Sequence, residues 1–206
     1  MKTLSGSQRK KTSNAQEEQN KFYCNIGYKN CLDDMSGIDF TKVVPIILTK
    51  NDDCTAFTCG KRPIDDFIHN EAIDFQNERL GTSYLFHYGK KIIGFVTLSM
   101  ADLKKDKLES KDRLTIGKEN YPALQISQLA VCTDLWHNDI GTFLCDFCLA
   151  KAYKLSKEVG CRFLVLNSKR DVIGFYENYG FKLLPRQEER REPVMFLNIF
   201  SKAIIP

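Results

Sequence analysis

At 206 residues, 43% hydrophobic and 27% charged, the chain has the composition of a globular protein large enough for one sizeable core. Its formal charge of +4 permits a phosphate-bearing partner without demanding one. No run of about 18 apolar residues occurs, which excludes a transmembrane helix. The polar first twenty residues lack a signal peptide's apolar stretch, so a cytoplasmic location with no membrane partner is expected.

Residues 1–40 stand apart from the rest. Their start is rich in Lys, Arg, Ser, Gln, Asn and Glu, which predicts a flexible N-terminal arm ahead of a domain over residues 41–206. Val43 to Leu48 reads as a first strand, with Pro45 placing it at an edge or a bulge. Ile64, Phe67, Ile68, Ala72 and Phe75 then recur at helical spacing, and Pro63 suits the first turn of that helix. "TSYLFHY" and "KIIGFVTLS" flank Gly89-Lys90 as a hairpin. The loop from Asp102 to Asn120 is either a solvated connection or a substrate-facing loop. Ala123 to Val131 is a strand, with Leu124, Ile126 and Gln128 on one face and Gln125, Ser127 and Leu129 on the other. A helix follows from Gly141 to Glu158, stopped by Gly160. "CRFLVL" is a buried strand. Ser168 or Asp171 can cap the next helix, which ends in "FYENYGF". Two strands, Phe181 to Leu184 and Val194 to Phe200, close the chain around "RQEERREP".

Cys132, Cys145, Cys148 and Cys161 lie in apolar segments and read as small core hydrophobes. Cys145 and Cys148 form a Cys-x-x-Cys, but no second pair or nearby His completes a metal site, so no metal is expected. The element order alone predicts an α/β (α+β) fold: a mixed sheet with helices on both faces.

"QLAVCTDLWHNDIGTFL", "FLVLNS" and "GFYENYGF" together resemble the Gcn5-related N-acetyltransferase (GNAT) superfamily over about Val43 to Phe200. The upstream "FTCGKRPIDDFI" and "TSYLF", with Pro122 approaching "LAV", are similar to its acetyltransferase-toxin branch. The resemblance implies a mostly antiparallel sheet with splayed central strands. It also implies acetyl-CoA as co-substrate and direct attack by a primary amine.

The implied cofactor-binding residues are Leu129, Ala130 and Val131 for the pantetheine arm, and Trp136, His137, Asn138, Asp139, Ile140, Gly141 and Thr142 for the pyrophosphate. Asn167 is added from the end of the buried strand. Helix N-termini and backbone N–H groups suit an anion. Val131 matches the position whose N–H steadies the oxyanion. Tyr176 matches the general acid that protonates the departing thiolate.

Two departures stand out. Trp136 replaces the family's Arg/Gln, and Asp139 replaces its first glycine, setting a carboxylate near where a phosphate would lie. A non-catalytic module with this fold is the competing reading. The general base is not legible; the candidates are water, a backbone carbonyl, or an acid such as Glu71 or Glu78. The acceptor is either the amino group of an aminoacyl-tRNA or another amine, on a small molecule or a protein. The toxin-like branch also implies an antitoxin partner, and the superfamily a homodimer.

Overall fold

The structure, a computed structural model, describes residues 37–201. The arm expected over residues 1–40 therefore lies outside the described residues up to position 36. Its last residue, Phe40, belongs to the body: its ring stacks on Phe143 with centroids 4.9 Å apart. No helix among the described residues is long and apolar enough to cross a membrane.

The described residues build a seven-stranded sheet in the order β1-β2-β3-β4-β5-β7-β6. The strands are β1 (Val43–Ile47), β2 (Thr82–Tyr88), β3 (Lys91–Lys104), β4 (Asn120–Val131), β5 (Phe163–Asn167), β6 (Lys182–Leu183) and β7 (Val194–Asn198). Only β4 and β5 pair in parallel; the other pairs are antiparallel. β1 occupies an edge, which is where Pro45 costs no ladder hydrogen bond.

One face of the sheet packs on α1 (Arg62–Asp66) and α2 (Ala72–Asn77). A π-helical turn, Phe67–Glu71, joins them, and the Ala72 N–H donates to the Phe67 carbonyl five residues back. The extra residue in this turn is invisible to a 3.6-residue pattern, yet the expected apolar face survives it. Phe67, Ile68 and Ala72 are buried against Leu85, Phe95 and Ala130, with Ile64 and Phe75 beside them. Further along the same face, Leu103, Leu108 and Tyr121 form a second cluster with Phe163 and Phe196. Leu108 comes from the loop after β3, so that loop is partly core rather than a purely solvated connection.

The opposite face carries α3 (Ile140–Glu158) and α4 (Ile173–Tyr179). Phe147 packs edge-on against Tyr84 and Phe86 of β2. Tyr179 of α4 donates to Asp146 of α3 at 2.6 Å. The Cys145-x-x-Cys148 pair lies inside this packing, both residues at 0% exposure, and burial raises both thiols. Neither Ser168 nor Asp171 caps α4. Its N-cap is Val172, without a side-chain hydrogen bond, because a 3-10 turn, Arg170–Val172, comes first.

β4 departs from the expected alternation. Thr97 pairs with Gln128 and Leu98 with Ile126, so Ser127 is an extra residue, a β-bulge. Beyond it the faces switch. Gln128 joins the face of Gln125, and Leu129 joins that of Ile126. The bulge turns Ala130 toward α1 and α2. It also marks where β5 leaves: parallel pairing stops at Ile126 and Leu166, while β4 stays paired to β3 through Val131.

Candidate active site

The separation of β4 from β5 opens a cleft of about 840 Å3. Leu129, Ala130, Val131, Trp136, His137, Asn138, Asp139, Ile140, Gly141, Thr142, Asn167 and Tyr176 all line it. The residues singled out in the sequence are thus brought together, across 48 positions of chain from the first to the last.

Along β4 the peptide groups are sorted by side. The Cys132 N–H donates to Ile93 of β3 at 3.0 Å. Successive residues of a strand direct their N–H and C=O groups to opposite edges, so those of Leu129 and Val131 turn away from β3, toward the cleft. The Val131 carbonyl is taken by the Trp136 indole N–H at 3.2 Å, which leaves the Val131 N–H as the donor on that side. Trp136 also packs against the loop before α1. A Cβ on Gly60 would lie 3.8 Å from the indole and 3.1 Å from Thr133 Cγ2, and Gly60 has φ +72°. A side chain there would be both crowded and strained.

The turn between β4 and α3 has His137 at φ 66° and Asp139 at φ 54°, both left-handed and both non-glycine. Asn138, between them, is not left-handed. This alternation cups successive N–H groups into a nest suited to an anion. The first helical bond of α3 runs from Phe143 N–H to the Asp139 carbonyl at 3.0 Å. The N–H groups of Ile140, Gly141 and Thr142 precede the hydrogen-bond ladder and have no acceptor within it. Asp139 is the N-cap residue, yet its carboxylate caps none of them. Its side chain is exposed, where water screens its charge. The backbone of this turn fits a pyrophosphate; the Asp139 charge opposes one. Gly141 also sits close under α4: a Cβ there would meet the Phe175 ring at 3.0 Å, so the ring would have to give by a few tenths of an ångström.

Tyr176 projects from α4 into the lining and is 8% exposed. Burial, and secondarily the nearby Cys145 and Cys148, push its ionisation well above the ordinary tyrosine range. It is therefore protonated throughout the physiological pH range. Cys132 is a poor nucleophile. Burial, then the Asp134 carboxylate to which it donates at 2.9 Å, raises its thiol.

Glu71 and Glu78 are exposed and do not line the cleft. The acids that do are Asp139, Asp171 and Glu192. Cys59, Lys61 and Lys169 complete a part of the lining that the sequence did not disclose. Lys61 Nζ reaches Asp171 Oδ2 at 2.7 Å, a link between positions 110 residues apart, and nothing local signals it.

A sheet splayed beside a helix N-terminus, with a protonated phenol in the same cleft, is the architecture of an acyl-CoA-dependent transferase. The chain belongs to the acetyltransferase (GNAT) family, whose model matches residues 48–181. It is an N-acetyltransferase with acetyl-CoA as its co-substrate. Solved structures share the fold. A tyrosine-to-phenylalanine mutant of KacT superimposes with a TM-score of 0.69 at 18% identity, covering 77% of this chain and 95% of that one. AtaT complexed with acetyl-methionyl-tRNAfMet gives 0.68 at 20% identity, covering 76% and 94%. A mutant AtaT toxin bound to the C-terminus of the antitoxin AtaR and acetyl-CoA gives 0.63 at 18%, covering 77% and 94%. Among curated protein sequences no match is found.

Proposed function

We propose that the cleft carries out the acetyl transfer with the following division of labour. The N–H groups of Ile140, Gly141 and Thr142, with the nest at His137 to Asp139, hold the pyrophosphate of the co-substrate. The peptide groups of Leu129 and Val131 bind its amide-bearing arm as a further strand would. Acetyl-CoA supplies a thioester carbonyl open to attack by an amine. The Val131 N–H steadies negative charge on that carbonyl oxygen. Tyr176 holds the proton that the departing sulfur needs. Asn167, at the exposed end of β5, contacts the co-substrate from the far wall.

The observation that carries this reading is the bulge at Ser127. It frees the β4 edge opposite β5 in the same cleft that holds Tyr176.

The acceptor is a primary amine, and the amino group of an aminoacyl-tRNA is the first choice. The fold shared with AtaT, solved with acetyl-methionyl-tRNAfMet, supports it. An antitoxin-like protein partner and a homodimer belong to the same reading.

Calorimetric titration with acetyl-CoA tests the site. Micromolar binding by the wild type, tightened in Asp139→Arg, is expected. Charged tRNA and small amines are then compared as acceptors. If neither protein binds acetyl-CoA, the cleft is the remnant of a site and the non-catalytic module is restored.

A further inference from the structure

The cleft contains primary amines of its own. Lys61 and Lys169 both line it, together with Tyr176 and the open edge of β4. Lys61 lies just before α1, on the side of the sheet opposite α4, and its side chain spans the mouth to Asp171. Both side chains of that pair are about half exposed, at 44% and 55%. Ion pairs this exposed are broken at little cost. A free Lys61 amine would be an acceptor tethered at the mouth of the transfer cleft, at an effective concentration no dissolved amine attains.

We propose that Lys61 is an internal acceptor, acetylated by the chain's own active site when no external amine is present, and that Asp171 restrains this self-modification. The inference rests on the acyl-transfer reading of the cleft.

The chemistry balances without a further reactant. The Lys61 ammonium gives one proton to solvent. Its lone pair forms the amide C–N bond while the thioester C–S bond breaks. The Tyr176 hydroxyl protonates the departing sulfur, and a second nitrogen proton returns through solvent to the tyrosinate. The products are acetyl-Lys61 and the free coenzyme A thiol. Asp171 restrains the reaction in two ways. It holds the amine away from the thioester, and its charge favours the ammonium, which has no lone pair to offer; Lys61 is accordingly held more basic than an ordinary lysine, with Asp171 the leading cause. Acetylation removes the cation, so the modified side chain no longer pairs with Asp171. The strap across the cleft is then lost.

The experiment incubates the full chain with acetyl-CoA and no acceptor, then maps acetyl groups by mass spectrometry. Binding of acetyl-CoA is measured on the same samples. Lys61 should acquire one acetyl group. It should do so several-fold faster in Asp171→Asn, where the amine is released from the strap and the carboxylate that favours the ammonium is gone. Tyr176→Phe in that background should slow the reaction, which separates enzymatic from chemical acetylation. Lys61→Arg should abolish the modification. Acetyl-CoA binding with no acetyl group on Lys61 in Asp171→Asn overturns the proposal alone. So does equal labelling in Tyr176→Phe, or labelling at Lys169 instead. Absence of acetyl-CoA binding removes both this inference and the acyl-transfer reading beneath it.

Discussion

Burial keeps the Tyr176 hydroxyl protonated past the pH at which a free tyrosine ionises. Two outcomes follow from that one side chain. Replacing it by Phe should lower kcat by about 10²–10⁴, the usual contribution of a positioned general acid, while acetyl-CoA affinity stays as it was. Steady-state rates and calorimetry on the same preparation check this, and an unchanged kcat would remove Tyr176 from the chemistry. The second outcome concerns stability. The folded chain holds the Tyr176 proton to higher pH than the unfolded chain, whose tyrosines ionise near ~10. The unfolded state therefore binds fewer protons above that value. The stability supplied by burying the phenol is complete below it and declines as pH rises further. Urea unfolding from roughly pH 9 to 11 should show a smaller decline for Tyr176→Phe than for the wild type.

At the scale of the element, the bulge in β4 does the most with the least. Deleting Ser127 would join Ile126 directly to Gln128, so plain alternation would return with every pairing to β3 kept and Ala130 still on the α1–α2 face. Such a protein should keep a cooperative thermal transition by circular dichroism yet lose acetyl-CoA binding by calorimetry, because the bulge at which β4 parts from β5 is gone; wild-type binding would show that the cleft does not need the bulge. The elements themselves were largely legible in the sequence. Helical spacing from Ile64 to Phe75, the Gly89-Lys90 hairpin and the apolar "FLVL" run are local signals. The candidate site was legible as a motif, because "LAV", the turn at 136–141 and Tyr176 sit in recognisable order and line one cleft. What stayed hidden depends on partners distant in sequence. No period reveals the extra residue at Ser127, since its register is set by β3. The π-helical turn at Phe67–Glu71 is likewise fixed by packing against Leu85 and Phe95. Arg170, which donates through its guanidinium to the carbonyls of Gln187, Glu188 and Arg190, reads in sequence as one more surface cation. Instead it holds the turn that brings Glu192 to the cleft.

For the molecule as a whole, a formal charge of +4 sets the terms on which a polyanionic acceptor could be recruited. If the acceptor is a charged tRNA, its KM should climb steeply between 50 and 200 mM salt (on the order of 10- to 1,000-fold for a few phosphate contacts), as displaced counterions compete. A small-amine acceptor should show almost no such slope, so the salt dependence of KM sorts the two classes. The parting of β4 and β5 has one more consequence. Amide protons at Leu129 and Val131 face an open cleft rather than a neighbouring strand, whereas Cys132, bonded to Ile93, is shielded. In deuterated solvent the first two should exchange early while the ladder to β3 is still protonated. A ligand lying along β4 as an extra strand would slow them selectively. Site-resolved hydrogen exchange would then report occupancy of the cleft without any turnover.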